Sequence, residues 1–350
     1  MESQASPTLR PLRFGELLDQ AIRLYRGNFL TFLGIVAVVY VPITILQSAA
    51  TLLMAGSMFG ISSSSPEEMF SSLGYWIGIL STFVLVFVQF FLVQGVAAGA
   101  LARAVGDNYL GRKTGIVDAY RGIGKSWISL VGALLFIGLL NIAAALWWFI
   151  VPCVGWFTGA GMIVFLMGAI FPMTAPVVVL EGQSAVDSVR RAWSLARRRF
   201  WPLLGYTFVL YLFSLIIVQG PVAIMSGILT ATMQSFDDPT TSLLITTIAQ
   251  SLVGLVASLI YIPLQMAAFT LIYFDLRVRT EGFDIALSTM PLDPSNNSQV
   301  MPAPPPSADE RLMTWADLGN FAILTLGALS IYVLVFSILM GGIFLFSGLF

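Results

Sequence analysis

SWISLVGALLFIGLLNIAAALWWFIVPCVGWFTGAGMIVFLMGAIFPMTAPVVVL, residues 126–180, contains no charged side chain. A hydrocarbon layer about 30 Å thick is crossed by roughly 20 helical residues, so this stretch is long enough for two crossings. Between them Val151-Pro152-Cys153-Val154-Gly155 supplies a Pro/Gly breaker pair. Charge-free runs recur on either side. None of the four charged types lies between Arg26 and Glu67, or between Glu68 and Arg103. Phe200–Phe236, Pro239–Phe274 and Leu318–Phe350 are equally bare. Seven spans follow, at about 29–55, 71–102, 127–150, 156–180, 201–230, 243–274 and 319–346.

Composition agrees. The 350 residues are 57% hydrophobic and 10% charged, with a mean hydropathy of +0.89. A soluble domain carries about 25% charge, so most of this surface must face lipid. There is no histidine, which removes the commonest general base and metal ligand. One cysteine, Cys153, allows neither an intrachain disulfide nor a thiolate zinc site. A net charge of −1 exerts no global pull on nucleic acid. Met1–Arg13 has no apolar core or small-residue cleavage site, and so does not read as a signal peptide.

Basic residues set the expected orientation. They fall in the N-terminal segment (Arg10, Arg13, Arg23, Arg26) and around the second connection (Arg103, Arg112, Lys113, Arg121, Lys125). The fourth connection carries Arg190, Arg191, Arg197, Arg198 and Arg199, and the sixth Arg277, Arg279 and Arg311. The first, third and fifth have only Glu67, Glu68, Asp237 and Asp238. All 17 Lys and Arg therefore lie on one side. The expected arrangement is a multi-pass protein of the cell (cytoplasmic) membrane, N-terminus cytoplasmic and C-terminus outside.

Two basic segments are amphipathic at about 100° per residue. In 14–26, Phe14, Leu17, Leu18, Ala21, Ile22, Leu24 and Tyr25 oppose Glu16, Asp19, Gln20, Arg23 and Arg26. In 186–200, Val186, Val189, Ala192, Trp193, Ala196 and Phe200 oppose Asp187 and the arginines. Both read as interfacial helices with the apolar side toward acyl chains. Their junctions with the following span align without gaps: Leu24–Phe29 over Leu195–Phe200, then Leu33-Gly34 over Leu204-Gly205. A weaker copy begins near Ile116, where Ala119, Trp127 and Gly132 answer Ala21 and Ala192, Phe29 and Phe200, and the two glycines.

The expected fold is thus an all-α polytopic integral membrane helical bundle. Six core spans are built as three surface-helix-plus-hairpin units, and a seventh, C-terminal span follows. The expected divisions are a tail at 1–12 and a six-span domain at 13–286, with interfacial helices near 14–26, 115–126 and 184–200. A Pro/Ser-rich cytoplasmic linker occupies 287–314, and the last transmembrane helix 315–350. The sequon Asn296-Asn297-Ser298 lies in that linker, on the side where it has no meaning.

Three segments carry a resemblance. The first is Arg10-Pro11-Leu12-Arg13-Phe14-Gly15-Glu16-Leu17-Leu18-Asp19 with Arg23-Leu24-Tyr25-Arg26. The second is Ala175-Pro176-Val177-Val178-Val179-Leu180-Glu181-Gly182, continuing through Ala185 to Arg191-Ala192-Trp193-Ser194-Leu195. The third is Tyr273-Phe274-Asp275-Leu276-Arg277-Val278-Arg279 with Glu281-Gly282-Phe283-Asp284. Together, over roughly residues 8–286, they resemble the membrane-domain family of glycerophosphoryl diester phosphodiesterase. The resemblance implies a membrane module only. In the founding members a separate soluble barrel with a histidine pair and acidic metal ligands does the hydrolysis, and this chain has no histidine.

No ionisable residue lies within a span interior, so a proton relay or retinal Schiff base has no side chain to use. There is no Gly-x-Ser-x-Gly elbow and no P-loop, and the expectation is a protein that is not an enzyme and has no cofactor or metal. Two residue sets are candidates. Glu181, Arg190, Arg191, Arg197, Arg198, Asp275, Arg277 and Arg279 serve to dock surface helices or to hold lipid headgroups, at about 1 kcal/mol per basic residue near an anionic surface. Gln89, Gln94, Asn141, Gln219, Gln250 and Gln265 line an uncharged path or join helices, such bonds averaging about 0.6 kcal/mol. The expected partners are membrane lipids, anionic on the cytoplasmic face, and no nucleic acid. The expected role is a membrane scaffold or partner-binding module, with a transporter or lipid-handling protein as the alternative.

Overall fold

The computed structural model describes residues 10–60, 73–233, 239–288 and 313–347. Most of the expected linker and the end of the last span lie outside these residues. The described chain is helical throughout, without a strand. The helices are α1 (Phe14–Gly27), α2 (Phe29–Gly60), α3 (Leu73–Phe91), α4 (Ala98–Tyr109), α5 (Ile116–Ile123), α6 (Ser126–Ile150) and α7 (Val154–Phe165). They continue as α8 (Phe171–Glu181), α9 (Ala185–Arg198), α10 (Phe200–Ser214), α11 (Gly220–Met233), α12 (Pro239–Glu281), α13 (Phe283–Ser288) and α14 (Trp315–Ser347). Single π-helical turns at Leu92–Ala97, Leu166–Ile170 and Leu215–Gln219 join α3 to α4, α7 to α8 and α10 to α11 into continuous rods.

Among the described residues seven rods are long and apolar enough to cross a membrane. Each coincides with an expected span. The chain is a multi-pass membrane protein, with the surface-helix, span, returning-span order occurring three times before α14. The α7–α8 rod is the central one, 67% of its most apolar window being buried, against 6% for α10–α11 at the periphery.

Several rods outrun the bilayer. The 43 residues of α12 extend about 65 Å, twice the hydrocarbon thickness. The core gathers toward the end where the basic residues lie. Ala98–Val105, Phe165–Leu180 and Ala267–Val278 supply much of it. The other halves of α3 and α12 expose Phe83, Phe87, Ile248, Leu252 and Val256 as a lipid-facing surface would.

The amphipathic helices differ from expectation in what covers them. Leu17, Ala21 and Tyr25 of α1, Ala119 and Ile123 of α5, and Val189, Ala192 and Leu195 of α9 are buried by protein. α1 packs on α12, α5 on α4, and α9 on α6 and α8. The projecting rod ends offer fixed, shape-matched apolar surface, so these faces close on the bundle instead of on acyl chains.

The three units form a ring. A Cβ on Gly34 of α2 would lie 2.5 Å from Ile116 Cδ1, and one on Gly132 of α6 would lie 3.0 Å from Ala185 Cβ. In both places the first residue of the next surface helix seats on the glycine of the preceding span. The third junction, between α10 and α1, is different. Gly205 has nothing within 4 Å of its Cβ position, and Phe14, which aligns with Ala185, stacks on Tyr206 at 4.6 Å instead. The first residue of α1 thus packs on the tyrosine beside the glycine and not on the glycine itself, and this junction stands apart.

The last span docks on the body. Phe321 joins Phe165, Phe200 and Trp193 in an aromatic cluster, with ring centroids 5.6, 5.7 and 6.1 Å from its own. The Gly161 amide donates to Thr325 Oγ1 at 2.8 Å. A Cβ on Gly161 would overlap the Phe321 carbonyl, so only glycine admits so close an approach.

Candidate functional site

Two spans end in the same dipeptide, Glu181-Gly182 closing α8 and Glu281-Gly282 closing α12. Both glycines are left-handed, at φ +67° and +63°, a conformation other residues adopt only at a cost. Each turn leaves its glutamate on the last helical residue, and the two carboxylates meet the same pair of arginines.

That cluster is buried. Arg191 Nε lies 3.1 Å from Glu181 Oε2, and its Nη2 donates to Glu281 Oε2 at 2.7 Å. Arg277 Nε is 3.1 Å from Glu281 Oε2 and 3.7 Å from Glu181 Oε1. The Tyr273 hydroxyl donates to Glu181 Oε1 at 2.8 Å and accepts from Arg277 Nη1 at 3.2 Å, while the Phe283 ring lies 4.4 Å from the Arg277 guanidinium. The side chains of Glu181, Arg277 and Glu281 are 1%, 2% and 3% exposed. With two positive and two negative charges the cluster is neutral. Burial alone would lower the Arg191 pKa, but the hydrogen bond to Glu281 and the charge of Glu181 outweigh it and hold the guanidinium protonated.

α12 uses its two sides differently. Tyr273, Arg277 and Glu281, four residues apart, face α8 and α9. Asp275 and Arg279 face the N-terminal segment: Asp275 Oδ1 accepts from the Leu12 amide at 2.8 Å, and Arg279 Nε donates to Asp275 Oδ2 at 2.8 Å. Arg279 Nη2 also donates to the Leu12 carbonyl. Elsewhere a short loop joins each projecting rod to its surface helix, α4 to α5 and α8 to α9. Between α12 and α1 no chain runs, and these hydrogen bonds take the loop's place.

The expected basic set is therefore divided. Arg191, Arg277 and Glu181 are brought together, Asp275 and Arg279 form the N-terminal clamp, and Arg197 pairs with Asp317 at 3.4 Å beside α14. Arg190 and Arg198 are exposed and without a carboxylate partner among the described residues. Sequence reasoning missed Glu281, Tyr273 and Asp317. The i,i+4 spacing of Arg277 and Glu281 was a usable signal. Asp317, far along the chain from Arg197, had none.

The intramembrane polar set is not assembled into one place. Gln89 receives a hydrogen bond from Gln47 between α3 and α2, and Gln250 donates to Ser226 at 2.8 Å between α12 and α11. Asn141 donates to its own helix at Ile137, its Oδ1 buried without a partner. Gln219 is exposed, and Gln94 and Gln265 are half-buried. Gly95 and Gly99, whose spacing admits close packing, face Val131, Leu134 and Leu130 of α6, so that packing is within the chain.

A cavity of about 210 Å³ lies instead at the basic end, at the third junction of the ring. Leu12, Arg13 and Phe14 wall it on one side, Arg199, Pro202, Leu203 and Tyr206 of α10's first turns on another, and Ile272, Asp275, Leu276 and Arg279 on the third. Nearby, Glu16 accepts from the Arg13 amide at 3.0 Å, and this bond, with Arg10, lowers its pKa.

Among the described residues no group of three or more acidic or cysteine side chains is placed to hold a metal ion. Comparison with curated proteins and with solved structures returns no match. The Arg10–Arg26 segment lies outside the stretch matched by a family model; the two other resembling segments lie inside it. That stretch, residues 128–300, matches the membrane domain of glycerophosphoryl diester phosphodiesterase, the membrane portion and not the catalytic one.

Proposed function

We propose that this chain is a non-enzymatic scaffold or partner-binding module of the cytoplasmic membrane, seated by its basic end against anionic lipid on the cytoplasmic face. The observation that carries the reading is the division of the arginines. Arg191, Arg277, Arg279 and Arg197 have buried or half-buried carboxylate partners, and so hold the ring together. Arg190 and Arg198 project from α9 with none. Arg198 stands beside the first turn of the span that opens at Phe200, and a basic residue near an anionic surface contributes about 1 kcal/mol. The matched family region supplies a membrane domain without the hydrolase, consistent with a role other than catalysis.

The test is native mass spectrometry of the full chain released from nanodiscs of phosphatidylcholine mixed with phosphatidylglycerol. Phosphatidylglycerol should be enriched on the protein, and Arg190→Gln with Arg198→Gln should lower the enrichment. Equal retention of both lipids by the unaltered protein would overturn the reading. A transport role has weaker support, since the intramembrane glutamines are divided among separate helix pairs and none of them lines the cavity.

A further inference from the structure

We propose that the cavity between α1, α10 and α12 is a binding site for a phosphate ester anion. Four observations converge on it. The first is charge: three arginines and one aspartate line the space, leaving two net positive charges. Both oxygens of the one carboxylate, Asp275, are already engaged, by the Leu12 amide and by Arg279 Nε, so they do not compete for the cations.

The second is availability. Arg13 and Arg199 form no ion pair among the described residues, although carboxylates elsewhere at this end are held by Arg191, Arg197, Arg277 and Arg279. Glu16, the nearest acidic residue on α1, is engaged by Arg10 and by the Arg13 amide. Two guanidiniums left open on one small concavity are matched to an oxyanion with several acceptor oxygens, which such donors bind in a fork.

The third is size and lining. Pockets for drug-sized ligands run roughly 300–1,000 Å³, so about 210 Å³ holds a compact head and leaves the remainder of the molecule outside. Pro202, Leu203, Ile272 and Leu276 form an apolar wall beside the cations. The Tyr206 ring is fixed by its stack on Phe14. A phosphate ester with an apolar substituent has this pairing of surfaces.

The fourth is placement. At the two equivalent junctions the next surface helix seats on a glycine, Gly34 under Ile116 and Gly132 under Ala185, while at the third Gly205 is exposed and Phe14 stacks on Tyr206, beside which the cavity lies. The cavity thus lies at the one junction whose surface helix does not seat on the glycine of the preceding span, with Phe14 and Tyr206 among its walls. A ligand there would touch the N-terminal segment and α12 together, bridging the one junction that lacks a covalent loop.

A phospholipid headgroup and a soluble phosphate ester offer the same chemistry. The lipid source rests on the function proposed above; the soluble source does not. The test uses the full chain in nanodiscs of phosphatidylcholine alone or with phosphatidylglycerol, read by native mass spectrometry, and titration of glycerol 3-phosphate into the phosphatidylcholine form, read by calorimetry. Removing either open arginine should weaken binding about tenfold, so Arg13→Gln with Arg199→Gln should lose nearly all of it. Neither arginine has an ion-pair partner to orphan among the described residues, so the fold is kept. Tyr206→Phe, which preserves the Phe14 stack, is a milder second variant expected to weaken binding severalfold if its hydroxyl contacts the ligand.

A tightly retained phosphatidylglycerol lost in the Arg13/Arg199 variant, and kept in the Arg190/Arg198 variant while the wider enrichment falls, identifies the source as lipid. Glycerol 3-phosphate binding with the same arginine dependence identifies it as soluble. An enrichment unchanged in the Arg190/Arg198 variant strikes the lipid-surface reading and leaves the pocket standing. Binding of both probes that is indifferent to Arg13 and Arg199, or no binding of either, overturns the pocket.

Discussion

Arg277 is among the largest fully buried side chains of this protein, and its charge is tolerable there only because Glu181, Glu281 and Tyr273 surround it. An ion pair of this kind adds little net stability over apolar packing, but removing one partner leaves an uncompensated charge costing about 3–5 kcal/mol. Glu181→Ala is therefore expected to lower the thermal midpoint in detergent sharply, more than Arg190→Ala, which removes an exposed arginine. A smaller effect from Glu181→Ala than from Arg190→Ala would contradict the closed network. Glu16 is a separate case, partly exposed and tied to the Arg13 amide. Its pKa lies below its ordinary 4.5, so its hold on the first turn of α1 is complete above that value and lost as pH falls through the lowered one. Glu16→Gln should remove that pH dependence, measured as hydrogen exchange at the Arg13 amide.

The elements show where packing is tight and where it is replaceable. α1 closes the ring without a covalent link, held by Asp275, Arg279 and the Tyr25 hydroxyl donating to the Ile260 carbonyl at 2.9 Å. Loss of a hydrogen bond to a charged group costs about 2 kcal/mol, a roughly thirtyfold change in an opening equilibrium. Asp275→Ala should raise hydrogen exchange throughout α1 by about that factor while leaving α9 unchanged; equal loosening of both helices would show that the clamp acts on the whole body. α14 depends on Gly161, where any side chain meets the Phe321 backbone. With a protease site placed between residues 289 and 312, the cut C-terminal helix should co-purify with the body, and Gly161→Leu should release it. Retention in the variant would mean that the aromatic cluster at Phe321 suffices.

For the whole molecule the decisive quantity is which end faces the cytoplasm. The distribution of arginine and lysine expects the basic end to be inside. In a Cys153→Ser background, Arg112→Cys or Arg198→Cys should resist a membrane-impermeant maleimide in intact cells and react once the cells are opened. Unaltered Cys153, exposed in the turn between α6 and α7, should react from outside. The reverse pattern would invert the topology and move the phosphate-ester cavity to the outer surface.

Residue order alone determined the span count, because a charge-free run long enough to cross a bilayer has few alternatives to a membrane helix. It also located α1 and α9, whose apolar residues repeat at the helical period, and the short α5 between them, found by alignment. What covers those faces was decided only in three dimensions. Periodicity says that Leu17 and Ala192 seek an apolar neighbour, but lipid and protein satisfy that demand alike, and the projecting ends of α4, α8 and α12 turned out to supply it. The pairing of Arg191 with Glu281, ninety positions apart, likewise depends on the ring bringing α9 and α12 together. So does the cavity beside Phe14 and Tyr206: its walls come from the N-terminal segment, α10 and α12, and it is a property of the closed assembly and not of any one segment.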